Sequence, residues 1–250
     1  MRPTTTTAPQ PNTKSGLCAI AWMDIAMACV TVTGRSSTSG NEMQKIANAK
    51  TANMAPAEQP AIIIVHPAWV VNTRTQNGAF AAAAELPSVA VTCEAEITLV
   101  GAAGARTICA SEFFTGPLST LRRRDEIITE LKLPFWPADR RWAFREFAQR
   151  QGDFALAGIA LFYDEDQDGR VRNVHVGVIG ACNRPQRLTE VETMLNGHPI
   201  DDELIRQAAA TAAQTVDPPE DLHAGAAYRR ALVATLVERG LRAATLPRGA

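Results

Sequence analysis

Residues 154–181 read FALAGIALFYDEDQDGRVRNVHVGVIGA, and how this stretch folds decides the architecture of the second half of the chain. Its first ten residues carry no charge and are apolar on both alternating faces, so as a strand they need cover on both sides. RWAFREFAQ (141–149) and VRNVHVGVIGA (171–181) read as the strands on either side of it, giving a three-stranded antiparallel meander. Between the second and third strands, DEDQDG (164–169) copies the opening of a calcium loop, with acids at the first, third and fifth positions and then glycine. The twelfth position, where such a loop needs a bidentate glutamate, is His175, and both flanks are strands rather than helices. A hairpin turn, with Asp168-Gly169 supplying a residue at positive φ, accounts for the same letters.

The cover for this sheet is found downstream, where helices are expected over 189–196, 201–216 and 224–244. In the second, Leu204, Ile205, Ala208, Ala212 and Val216 form one stripe at helical spacing. Asp201, Asp202 and Glu203 place acids at its N-terminus, as the helix dipole favours, and Asp217-Pro218-Pro219 ends it. Residues 137–250 therefore read as an α+β unit, a three-stranded antiparallel sheet with three helices.

Upstream, AIIIV (61–65) reads as a buried strand or a strongly apolar helical turn, and 81–92 as a helix in which Pro87 must either sit in the first turn or break it. AEITLVG, AAGA and RTICA (95–110) form a hairpin, SEFFTG (111–116) a short helical turn, and DEIITELKLP (125–134) a strand with Ile127, Thr129, Leu131 and Leu133 on one face. The proline-punctuated PFWPADRR (134–141) is the expected boundary between 61–136 and 137–250. Residues 1–60 differ from all of this. They are Thr/Pro-rich and then polar, with room for a short helix near 42–49 and no sustained period.

Composition narrows the function. Lys and Arg total 25 against 26 Asp and Glu, a formal charge of -1 that leaves no electrostatic footprint for nucleic acid or an anionic membrane. The apolar run 15–34 is interrupted by Asp24 and is too short and polar to span a bilayer, and it makes a poor signal peptide. Five cysteines, none in a C-x-x-C pair, fit reduced thiols in a cytoplasm and argue against a zinc ribbon or an iron–sulfur cluster held by this chain. The four histidines lack metal spacing and read as surface or capping residues. Without a nucleophile elbow, a Walker loop or a zinc-protease helix, the residues supply no catalytic nucleophile–base pair, so a cofactor or partner must bring the chemistry.

Five segments stand in order along the chain: AAAELPSVAV (82–91), CEAEITLVGAAGARTICASEFFTGPLST (93–120), DEIITELKLP (125–134), REFAQRQGDFALAGIAL (145–161) and VDPPEDLHAGAAYRRALVATLVERGL (216–241). Taken together they resemble the FAD-binding (medium) subunit of molybdenum hydroxylases, the carbon monoxide dehydrogenase flavoprotein type. The resemblance implies a two-lobed FAD domain followed by a small α+β C-terminal domain, with the pyrophosphate cradled by backbone N–H groups of two Gly-rich loops, one per lobe. The family's second loop reads roughly N-R-G-T-I-G-G-S-L-A after an upstream His-Pro. Here His66-Pro67 precedes NTRTQNGAFA (72–81), with Gln76 and Asn77 where the family has an aliphatic residue and a glycine. No counterpart of the first lobe's A-G-G-x-S loop stands in residues 1–60, so the resemblance implies a partial FAD domain with a missing or degenerate first lobe and impaired FAD binding.

Carried over residue by residue, Thr75, Asn77, Gly78 and Ala79 would face the phosphates and Glu85 the ribityl chain, while Glu126, Ile127, Arg150, Asp153 and Phe154 would lie near the isoalloxazine. The implied activity is that of an oxidoreductase subunit, passing electrons from a partner's iron–sulfur clusters through FAD to an external acceptor. The implied partners are a small iron–sulfur subunit and a large molybdopterin-bearing subunit. The alternative is a non-catalytic remnant serving as an assembly module with little or no FAD.

Overall fold

The computed structural model describes residues 85–246, apart from 135, 138, 151 and 152, together with the backbone strand of residues 61–63. The expected short helix at 42–49 and the loop 72–81 lie outside the described residues.

The first half is built on a four-stranded antiparallel sheet in the order β1-β6-β2-β3. Its strands are β1 (Ala61–Ile63), β2 (Glu96–Gly101), β3 (Gly104–Cys109) and β6 (Ile127–Leu133). A two-stranded ribbon, β4 (Phe114–Gly116) with β5 (Ser119–Thr120), follows the one-turn helix α2 (Ala110–Phe113). Of the two readings for 61–65, the strand is the one seen: Ala61 pairs with Leu133 and Ile63 with Leu131. Helix α1 (Glu85–Thr92) keeps Pro87 in its first turn, where no intrahelical N–H is needed.

One face assignment changes. Strand β6 pairs Ile97 with Leu131, but beyond a register shift between Thr98 and Leu99 it pairs Leu99 with Ile128. This irregularity breaks the simple alternation, so Ile128 is buried and Ile127, expected on the apolar face, is 50% exposed.

The second half carries β7 (Arg141–Phe147), β8 (Ala157–Glu165), β9 (Val171–Ile179) and a short edge strand β10 (Gln186–Arg187), in the order β10-β9-β8-β7. The meander is as expected, and β10 is an addition that two residues cannot signal in a sequence. DEDQDG closes the β8–β9 hairpin. Gly169 sits at φ +73°, its N–H donates to the Asp166 carbonyl at 3.0 Å, and Asp166 Oδ1 accepts from the backbone of Asp168 and Arg170 at 3.0 and 2.9 Å. The first acid of the motif is also engaged, because Asp164 takes two bonds of 2.8 Å from Arg140.

Three helices follow: α3 (Thr189–Leu195), α4 (Asp202–Thr215) and α5 (Ala226–Thr245). Asp201 caps α4, its side chain accepting from Leu204 N at 2.7 Å. Helices α3 and α5 lie on the sheet, and α4 packs against both. They cover one face of β8, the one carrying Ala157, Ile159, Leu161 and Tyr163. Gly240 lets α5 come close, since a Cβ there would stand 2.7 Å from Ile159.

The other face is not covered by these helices. It meets α1 from the first half, and Phe162 belongs to the core of that half with Trp136, Val91 and Leu99. The approach is close at Gly177, where a Cβ would fall 1.9 Å from Thr92 Oγ1. His175 stacks on Phe162, with ring centroids 4.4 Å apart, and its Nδ1 lies 2.7 Å from the Thr92 carbonyl at the end of α1. Burial pushes the His175 pKa down, so the ring is neutral and donates this bond as a capping group.

Candidate functional site

A cavity of about 600 Å³ opens where the two halves meet. The β4–β5 ribbon contributes Pro117 and Leu118, and the loop joining β7 to β8 contributes Arg150, Asp153 and Phe154. Gly180 and Cys182 come from the end of β9, and Asp221, His223 and Arg229 from the turn that leads into α5. Phe154 and Leu118 are 52% and 75% exposed, so the mouth offers apolar side chains to solvent. Deeper in, Arg229 is buried, and the Cys182 thiol donates to the Arg184 carbonyl at 2.8 Å. Burial raises that thiol to about 12, which makes it an inert wall rather than a nucleophile. A larger, wider-mouthed groove of about 780 Å³ between Arg145, Asp201 and Arg242 gathers none of the candidate residues, and its Arg242 is paired with Asp202 and Glu238.

The structure thus brings Arg150, Asp153 and Phe154 together in one wall, where the Asp153 N–H donates to the Arg150 carbonyl at 3.2 Å. Glu126, Ile127 and Glu85 stand elsewhere. Glu126 is buried and fully engaged: Arg106 donates to it at 2.6 and 2.9 Å and the Arg123 N–H at 2.6 Å. The hydrogen bond from Arg106 leads the causes that bring its carboxyl down to about 2. Its visible role is to tie the β2–β3 hairpin to the loop before β6. Thr75, Asn77, Gly78 and Ala79 lie outside the described residues.

Glu85, in the first turn of α1, accepts a hydrogen bond from the Glu146 carboxyl of β7. Burial, then the charge of Glu85, raise Glu146 to about 7, and burial raises Glu85 as well. The folded chain therefore holds a proton on Glu146 that an unfolded glutamate, titrating near 4.5, gives up. Stability is expected to fall as pH rises from about 4.5 through 7, the window in which the native state binds more protons. Glu146→Gln removes the part of this dependence that Glu146 contributes and leaves the smaller part from Glu85, and thermal melts should show the variant a few degrees more stable than the parent at pH 8 and little different at pH 4. Parallel pH profiles for the two proteins would disprove the shared proton.

Arg229, Gly180 and Asp221 were not legible as site residues. Nothing local in the sequence marks Gly180 as a wall or sets Arg229 apart from its neighbour Arg230. Among the described residues no group of three His, Cys, Asp or Glu side chains is placed to hold a metal.

Residues 71–136 match the FAD binding domain in molybdopterin dehydrogenase, and residues 142–244 match the CO dehydrogenase flavoprotein C-terminal domain. Over 202 residues the chain is 32% identical to the 6-hydroxypseudooxynicotine dehydrogenase complex subunit alpha of Paenarthrobacter nicotinovorans, covering 79% of this chain and 68% of that subunit. The chain belongs to the family of FAD-binding medium subunits of molybdenum hydroxylases. It is also 35% identical over 179 residues to the nicotine 6-hydroxylase medium subunit of the same organism, covering 70% of this chain and 62% of that subunit. Among solved structures, the carbon monoxide dehydrogenase of Hydrogenophaga pseudoflava superposes with a TM-score of 0.62 at 29% identity, over 66% of this chain and 57% of that one. The chain thus spans under two thirds of some of the medium subunits it matches. All the candidate cofactor residues fall within the two family matches: 75, 77–79, 85, 126 and 127 in the first, and 150, 153 and 154 in the second.

Proposed function

We propose that this chain is the flavin-carrying subunit of a molybdenum hydroxylase-type oxidoreductase, passing electrons from a partner's iron–sulfur clusters through FAD to an external acceptor. The observation that carries the reading is the cavity itself. Its wall gathers Arg150, Asp153 and Phe154 from the C-terminal unit against Leu118 from the FAD-domain match. The residues present suit the ring end of a flavin: apolar groups at Leu118 and Phe154 for its faces, and the Arg150 cation for a ring that gains negative charge on reduction. FAD, when bound, supplies the reversible electron uptake that no side chain here provides. Thr75, Asn77, Gly78 and Ala79 would hold the phosphates through their backbone, and Glu85, beside Glu146, would stand near the ribityl chain.

In the same reading, residues 61–136 form the second FAD lobe and 137–250 the C-terminal domain. The molybdenum cofactor and iron–sulfur clusters reside on a large and a small partner subunit. Leu118, Phe154, Leu222 and Tyr228, all exposed around the cavity or the turn beside it, provide apolar surface for such partners. Among the described residues no helix is long and apolar enough to cross a membrane. The free thiols Cys93, Cys109 and Cys182 support placement in the reducing cytoplasm.

The test is flavin absorbance near 450 nm relative to protein, followed by the reduction potential of the bound cofactor. Arg150→Ala is expected to lower that potential by about 20–40 mV, equivalent to roughly 1–2 kcal/mol for a two-electron couple. An unchanged potential removes Arg150 from the ring's surroundings. The second reading, an assembly module with little FAD, draws on Gln76 and Asn77 replacing the family's aliphatic residue and glycine. Purified protein that stays colourless after excess FAD, yet still binds its partner subunits, would favour it.

A further inference from the structure

Arg229 lies in the first turn of α5, where a cation opposes the helix dipole, and it is only 3% exposed. A buried guanidinium so placed needs strong compensation. Nη1 donates to the carbonyls of Leu156 and Gly180, each at 2.8 Å, and Nη2 donates to Asp221 Oδ2 at 2.7 Å. Leu156 in turn donates its N–H to the Phe147 carbonyl at 2.8 Å, so the end of β7, the start of β8 and the end of β9 converge on this one side chain. Gly180 makes the convergence possible. It sits at φ +73°, and a Cβ there would fall 2.4 Å from the Ala155 carbonyl oxygen.

The far side of the clasp is also organised. Asp221 Oδ1 accepts from the backbone of His223 and Ala224 at 2.8 and 3.0 Å, and the His223 carbonyl accepts from Gln149 Nε2 at 3.2 Å. Each segment joined in this way walls the cavity that holds Arg150, Asp153 and Phe154. Arg229 Nε is buried with no hydrogen-bond partner among the described residues. A side chain of similar length without charge would pack at this position with less cost, so what the guanidinium adds is the simultaneous grip on two carbonyls and a carboxylate.

We propose that Arg229 is the positioning residue of the cavity, holding the loop that carries Arg150, Asp153 and Phe154 at a set distance from the Asp221 turn and thereby setting the affinity for the flavin ring. The flavin part of this inference rests on the function proposed above; the clasp does not.

The test uses the full chain and three variants: Arg229→Met, Arg229→Lys, and Leu236→Ala, a buried position on the same helix that does not line the cavity. Amide hydrogen exchange and FAD titration by fluorescence quenching are measured on each. Arg229→Met, which loses all three guanidinium bonds, is expected to speed exchange in 149–156 and 219–224 by about tenfold or more and to weaken FAD binding about tenfold, because the loop and not the flavin loses those bonds directly. Exchange in α4 should change no more than it does in Leu236→Ala, which keeps the parent's FAD affinity. Arg229→Lys, which keeps the charge but cannot grip both carbonyls and the carboxylate, should fall between, and it supplies the readout if the Met variant does not fold. Unchanged exchange in the two segments overturns the proposal, as does an equal loss of FAD affinity in Leu236→Ala. Faster exchange in a protein that binds no FAD even as the parent would instead uphold the clasp and sink the flavin site.

Discussion

Gly177→Ala is expected to lower stability by about 2–3 kcal/mol, a large effect for a single methyl group added to a strand. The added Cβ would stand 1.9 Å from Thr92 Oγ1 and 3.1 Å from Thr92 Cβ, so α1 and β9 cannot keep their spacing. Moving α1 outward also weakens the His175–Thr92 bond and uncovers Val91 and Phe162. The urea midpoint should drop with little change in slope. Thr92→Ala in the same chain should recover part of the loss, because it removes the oxygen at 1.9 Å and leaves only the 3.1 Å contact. Thr92→Ser, which keeps Oγ1, should recover none. A Gly177→Ala protein as stable as its parent would mean that α1 does not lie on this sheet.

Arg140→Ala is expected to cost about 2–4 kcal/mol, somewhat under the roughly 3–5 kcal/mol of breaking a fully buried pair because Asp164 keeps part of its solvent contact. The Arg140 side chain is 6% exposed and that of Asp164 31%. Its guanidinium grips Asp164 with two parallel bonds of 2.8 Å and lies 4.9 Å from the Trp136 ring centre and 4.5 Å from that of Phe162. Burial pushes the Asp164 carboxyl up, but hydrogen bonds from Arg140 and Asn173 outweigh it and bring it below the usual range. Without Arg140 that carboxylate keeps only the Asn173 amide at 3.0 Å among its described side-chain partners. Arg140→Lys should restore little, since a single ammonium cannot make the paired bonds or spread over both rings. Thermal melts of the two variants decide it, and a lysine variant with parental stability would show that charge alone is needed.

Position 140 also shows where reading the sequence fell short. PFWPADRR carries the punctuation of a linker, and the chain does pass between its two halves there. Yet Trp136 and Arg140 plug the contact between those halves, with Phe162 on the far side. Proline spacing reports backbone restriction and says nothing about what the intervening side chains touch. Ile127 missed for a related reason: alternation holds only while the ladder is regular, and one register shift moved the apolar face to Ile128. Glu126 enters through the resemblance, and nothing in its own segment announces that Arg106, twenty residues away, holds its carboxylate.

The sequence by itself determined several elements and their order: the meander of β7, β8 and β9, the hairpin turn at DEDQDG, the helix α4 with acids at its N-terminus, and the need of β8 for cover on both faces. Those features are periodic or local, and each is read within a window the length of one element. It also pointed to the family, through several segments taken in order rather than through any single site. Tertiary structure alone decided that α1, from the other half of the chain, covers the second face of β8. It alone decided that Arg229 joins strand ends and a turn into a cavity wall. The bonds that make these choices, His175 to Thr92 and Arg229 to Leu156, join residues 83 and 73 positions apart. No local period encodes such pairs; they form only where packing leaves a glycine-sized gap or a carbonyl pair for one side chain to fill.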